Sequence, residues 1–128
     1  MPYVDPTQAI NALLVRFDAI RATQGEPPWR VPLAAGQTLR SVLLCWPAGH
    51  VAPPHRHPRA IEVFVILAGE AEFTFGNGEV HRASVGAQLF APVGMSHAIR
   101  VVGDEPLLFV LALGPNQDND TEELAVPE

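Results

Sequence analysis

Three histidines and one glutamate are spaced to hold a metal ion. His55 and His57 lie two residues apart. In an extended strand, residues i and i+2 point to the same face, so both imidazoles can converge on one point. Pro53-Pro54 before them and Pro58 after them make the segment rigid and locally extended, which lowers the cost of fixing ligands in place. Glu62 follows His57 by five residues, the wrong parity for one straight strand. A turn at Pro58-Arg59 lets the chain bend and re-enter. Glu62 opens the apolar run Val63-Phe64-Val65-Ile66-Leu67, where a carboxylate needs a partner and a metal ion would supply one. His97 follows a Pro92-x-Gly94 turn and opens another β-prone run. Three nitrogens and one carboxylate suit Fe, Mn, Ni, Co or Zn better than Ca or Mg, which prefer oxygen. One divalent transition metal ion per chain is therefore the expected cofactor. Four protein ligands on a six-coordinate metal leave two positions open, as a catalytic site does and a structural zinc site does not.

The elements that must position these groups are short. After Pro27-Pro28 come β-prone runs at Thr38–Trp46, Glu62–Leu67, Ala71–Phe75, Gln88–Ala91, His97–Val102 and Leu107–Leu113, separated by Gly/Pro turns. Gly76-Asn77-Gly78 between two such runs predicts a hairpin. Many short strands with frequent turns predict an all-β sandwich or barrel. Ahead of them, Asp5 as cap, Pro6 in the first turn and Ile10, Leu13, Leu14, Phe17 and Ile20 at helical spacing predict one helix ending near Gly25. The expected organisation is a single domain over 1–128: an N-terminal helix within 1–25, a β-barrel over 29–114 and an acidic tail over 115–128, lying on the surface or over a neighbouring subunit.

Composition excludes several classes. The chain of 128 residues is 48% apolar, enough for a core. Its net charge is −6, and five acids fall in the last 14 residues, so the remainder is near neutral. No basic face for nucleic acid and no polybasic stretch for a membrane is present. The start lacks a signal peptide pattern, and a single cysteine, Cys45, fits a reducing compartment. A cytoplasmic protein is expected. The eight cationic residues are all Arg, which removes Schiff-base chemistry and a lysine base. The one tyrosine is Tyr3, at the very start.

Gly49-x5-His55-x-His57-x4-Glu62-x6-Gly69 matches the first cupin motif at every fixed position, and Gly86-x5-Pro92-x-Gly94-x2-His97 matches the second through its histidine. The chain thus resembles small bacterial single-domain cupins. The resemblance implies an all-β double-stranded β-helix, or jelly-roll barrel, with one short N-terminal α-helix, and a metal on His55, His57, Glu62 and His97. One position departs: the second motif usually has Asn four residues after its histidine, where this chain has Val101.

If β-alternation is regular, Phe64, Ile66, Ile99 and Val101 face inward, and these form the expected substrate pocket together with Met95 at its rim and Arg40, whose facing sequence leaves open. Arg40 could meet a substrate carboxylate or phosphate. Arg100, out of phase with His97, His81 and His50 are read as surface residues, and Cys45 as a buried structural thiol. The first functional reading is a metal-dependent enzyme of dioxygenase type, acting on a small, partly apolar organic molecule. The alternatives are a non-enzymatic metal-dependent binding or sensing protein, and a metal-dependent isomerase or decarboxylase. Cupin barrels expose strand edges and often pair, so a homodimer is expected.

Overall fold

Apolar runs of four to eight residues, each cut short by glycine or proline, become antiparallel strands. The computed structural model describes residues 9–116 and 121–123. In chain order the described elements are α1 (Phe17–Thr23), β1 (Trp29–Ala35), β2 (Arg40–Trp46), β3 (Val51–Arg56), β4 (Ile61–Ala68), β5 (Glu70–Phe75), β6 (Val80–Ala83), β7 (Gln88–Ala91), β8 (His97–Val102), β9 (Leu107–Gly114) and β10 (Glu122–Glu123). They form two five-stranded sheets, ordered β1-β2-β9-β4-β7 and β10-β3-β8-β5-β6. This is the expected jelly roll. Among the described residues, no helix is long and apolar enough to cross a membrane.

The inner faces pack Phe64, Ile66, Phe73, Ile99, Val101, Leu107 and Phe109 into one buried cluster. Phe64 meets Phe73 edge-on at 5.2 Å between ring centroids, a geometry that aromatic quadrupoles favour. A second cluster covers the outer face of the first sheet, where Val31, Leu33, Leu43, Cys45 and Leu108 bury against Ala9 and Ile20. Burial on both faces explains why β2 and β9 read as nearly continuous apolar runs rather than as alternating ones. Cys45 is a free, buried thiol in that outer cluster, and burial raises its pKa.

The expected hairpin at Gly76-Asn77-Gly78 joins β5 to β6, with Thr74 opposite Val80. Gly69, which links β4 to β5, has φ +81, and a Cβ there would collide with the Pro106 carbonyl oxygen. Both facts exclude other residues at that motif position.

The N-terminal helix is shorter than its periodicity predicts. It covers only Phe17–Thr23, and residues 9–16 are not helical. The proposed cap at Asp5 and Pro6 lies outside the described residues. Asn11 accounts for the difference. It adopts φ 61, a left-handed conformation that Asn tolerates better than most residues. Its N–H donates to the Leu33 carbonyl, and its Oδ1 accepts from the Ala35 N–H. The segment is thus tied to β1 instead of coiling. Leu13 is left fully exposed, and Ile10 and Leu14 about half exposed, so the five-residue apolar face does not form.

Candidate metal centre

A bulge sets the direction of the first ligand. On β3, Ala52 pairs with Ile99 and His55 with His97. Three steps along β3 therefore match two along β8, leaving one extra residue in the Pro53-Pro54 stretch. Proline cannot donate to the ladder, so it is tolerated at a bulge. Ala52 packs against the inner cluster. By simple alternation His55, three residues on, would face outward; the extra residue returns it to the inside. His57 then lies just beyond β3. Its carbonyl accepts from the Gly94 N–H at 3.0 Å, which ties the first histidine pair to the turn before His97.

His97 begins β8 and pairs with Phe75 on its other side. Glu62 is the second residue of β4, opposite Leu113 on β9 and Ala91 on β7. The four ligand atoms of His55, His57, Glu62 and His97 all lie within 4.8 Å of one another. His57, Glu62 and His97 are buried, and His55 is partly exposed.

Each imidazole is held by its far nitrogen. His55 Nδ1 lies 3.1 Å from the Pro53 carbonyl, and His97 Nδ1 lies 3.2 Å from the Met95 carbonyl. A carbonyl only accepts, so Nδ1 carries the hydrogen and Nε2 presents a bare lone pair. His57 Nδ1 meets the Thr121 hydroxyl at 3.2 Å. Backbone or side-chain partners on the far nitrogen are the usual way a metal-binding histidine is oriented.

The centre then has too many acceptors for what surrounds it. His97 Nε2 is 2.9 Å and His57 Nε2 is 3.3 Å from the same oxygen, Glu62 Oε1. Despite this approach, Glu62 Oε1 and His97 Nε2 are buried without a hydrogen-bond partner. Lone pairs aimed at a common point from this distance repel unless a cation or protons lie between them. A divalent metal fits that need, and the donor set matches the borderline transition metals. For Glu62, burial would push the pKa up, but contact with His57 and His97 outweighs it and holds the carboxyl down to about 2. Burial lowers the pKa of His55, against a raising contribution from its bond to Pro53. Both shifts favour the ligating forms, a carboxylate and a neutral imidazole.

The expected pocket residues separate by depth. Successive inward residues on a strand are about 6.6 Å apart. Phe64 and Ile99 are one inward step below Glu62 and His97, and the Phe64 ring lies 5.4 Å from that of His97. They floor the site. Ile66 and Val101 are a second step down and sit in the packed cluster, too deep to touch a ligand of the metal. The substitution of Val101 for a polar residue therefore alters the core rather than the pocket. Met95 lines a different cavity of about 460 Å³, between the free edges of β6 and β7. None of the four ligand residues lines that cavity. Arg40 faces inward: it lies opposite Leu113, as Glu62 does from the other side. His81 and Arg100 are exposed, as expected, and His50 is at the opposite end of β3 from the ligands.

The described part of the acidic tail lies on the surface, and it brings a residue that sequence reasoning missed. Glu122 and Glu123 pair with Arg56 and His55 of the same chain as β10, and Arg56 donates to Glu122 Oε1 at 2.9 Å. The segment closes over its own β3 and delivers Thr121 to His57. A lone threonine in a polar tail carries no local signal of such a role.

Comparisons with known proteins bear on the family and the fold. The model of the cupin domain family matches residues 42–113. The dimethylsulfoniopropionate lyase DddQ of Ruegeria pomeroyi is 39% identical over 74 residues, covering 58% of this chain and 36% of the lyase. This chain thus spans about a third of that protein's length. The lyase's crystal structure superposes with a TM-score of 0.64 at 30% identity, over 73% of this chain and 50% of that one. KdgF from a Halomonas species gives a TM-score of 0.65 at 26% identity, over 70% of this chain and 80% of that one. A Klebsiella pneumoniae protein with a double-stranded β-helix domain gives 0.75 at 23% identity, over 88% and 92%.

Proposed function

The chain belongs to the cupin domain family, and from that premise we propose that it is a metal-dependent enzyme of dioxygenase type acting on a small, partly apolar organic substrate. The observation that carries this reading is the convergence of His55, His57, Glu62 and His97, with buried acceptors that lack hydrogen-bond partners. A bound divalent ion would polarise a substrate oxygen as a Lewis acid and keep positions open for reaction. The chain's own residues set the conditions. Pro53, Met95 and Thr121 orient the imidazoles. Glu62 contributes one negative charge. Phe64 and Ile99 present an apolar, water-excluding floor, which favours a substrate with an apolar portion.

A second reading, a lyase that works without oxygen, is favoured by the likeness to DddQ. The Fe(II)-loaded protein, given a panel of small organic acids and enols, is expected to consume O₂ in step with substrate. Equal turnover under strict anaerobiosis would replace the first reading with the second. Ligands that raise the melting temperature with no turnover at all would instead favour a binding or sensing protein.

The same proposal includes a homodimer in the cytoplasm. Ile61 and Phe90 are exposed on the outer face of β4 and β7, beside Val63, which pairs with Phe90. This apolar group forms the proposed seam for a second copy. Sedimentation should give the mass of two chains, and Phe90→Glu should give one. The buried free thiol of Cys45 is consistent with a reducing compartment.

A further inference from the structure

The inner surface at the metal end carries one cation that the ligand set does not use. Arg40 and Glu62 both lie opposite Leu113, from the two flanking strands. Residues opposite one another share a face, so all three side chains point inward in one row. Two strand spacings separate Arg40 from Glu62, about 10 Å between their Cα atoms. Inward facing is confirmed further along β2, where Leu44 and Trp46 pack against the inner cluster. Among the described strands, two arginines share this inward phase: Arg40, and Arg30 on the edge strand β1, which lies opposite Leu44 and is exposed. Arg56, Arg82 and Arg100 point outward, each paired with a glutamate: Glu122, Glu70 and Glu72.

Arg40 has no such partner among the described residues, and its Nε is buried without a hydrogen bond. A buried guanidinium donor left unpaired is costly, and it is usually explained by a group that arrives from outside. The planar guanidinium fork matches a carboxylate with two parallel hydrogen bonds. A single cation suits a single negative charge; the other inward-phase arginine, Arg30, is exposed and lies opposite Leu44, about 13 Å along the strands from the row of Arg40, Leu113 and Glu62. We infer that Arg40 is a substrate-binding residue that clamps the carboxylate of a short organic acid, whose other polar end lies at the His55, His57, Glu62 and His97 centre. This rests on the metal reading above and narrows it to carboxylate-bearing substrates.

The test uses the full chain loaded with Zn(II), which is diamagnetic, and 3-hydroxypropionate against its neutral amide, titrated by ligand-observed NMR. Metal content is measured on the same samples by mass spectrometry. Wild type is expected to bind the acid about tenfold or more tighter than the amide. Arg40→Met should lose that preference and keep its zinc and melting temperature, while Arg40→Lys, which keeps the charge but not the fork, should fall between. An acid preference that is unchanged in Arg40→Met, or absent from zinc-loaded wild type, overturns the inference and leaves the metal reading intact. If wild type takes up no zinc but still prefers the acid, and Arg40→Met does not, the metal reading fails and the role of Arg40 stands. Should Arg40→Met melt early, the Arg40→Lys comparison decides in its place.

Discussion

Glu62→Gln is expected to reduce bound metal from about one ion per chain to background, with an affinity loss of more than about 100-fold. Losing a partner that merely orients a ligand costs about 10–100-fold, and in the proposed centre Glu62 would itself be a ligand and would supply the only negative charge among the four. Gln preserves the shape and removes that charge, so the variant separates charge from packing. His97→Ala should match it, because His97 is fully buried and its Nε2 has no other use. The measurement is metal per chain by mass spectrometry after purification without chelator, with circular dichroism to check the fold. Equal metal in wild type and both variants would remove the site. The pH dependence has a fixed sign. A His55 pKa held below its ordinary 6.5 keeps the imidazole neutral to lower pH. Glu62, held down to about 2, stays ionised throughout. Metal should therefore survive the start of the ordinary histidine range and leave below it, as protons win the imidazoles. Release beginning well above pH 6.5 would contradict the geometry of His55.

Phe64→Ala is expected to destabilise the domain by about 3–5 kcal/mol, the usual cost of emptying a buried aromatic site. Phe64 is 1% exposed, and its ring touches Phe73, His97 and Phe109, with centroids at 5.2, 5.4 and 6.4 Å. Those partners come from β5, β8 and β9, so the void would open in both sheets at once and could not close by one side chain moving. Phe64→Leu should cost clearly less. Urea unfolding of the metal-free protein reads the effect directly. A loss below about 1 kcal/mol would mean that the ring is not the keystone between the two sheets. The variant should also bind metal more weakly, because His97 loses the ring that backs it.

The clustering of His55, His57, Glu62 and His97 was legible because cupin spacing places these residues near strand ends, and strand ends follow turns. Pro92, Gly94 and His97 mark one such end, and Pro58 and Glu62 another. The strongly apolar strands β4, β8 and β9 were legible for the same reason. Strands with a weak apolar signal were not. β1 carries Arg30 and Pro32 in its middle, β6 is exposed at three of its four residues, and β10 has only two. They are strands because a neighbouring edge offers a ladder, a tertiary fact rather than a local preference. The N-terminal helix failed in the opposite way. Its periodicity was genuine, but hydrogen bonds from Asn11 to β1 outcompeted the turns it would have made. Inward facing of Phe64, Ile66, Ile99 and Val101 was predicted correctly, while depth was not, since alternation gives a face and no distance from the metal.

The single extra residue in β3 has a consequence for how this stretch can vary in length. Between Ala52 and His55 the chain is one residue longer than its partner strand. Deleting that residue would leave His55 two residues after Ala52, just as His97 stands two from Ile99, and a regular pleat would still aim His55 at the centre. A one-residue deletion before the first histidine should thus be absorbed by losing the bulge, with the facing of His55 unchanged.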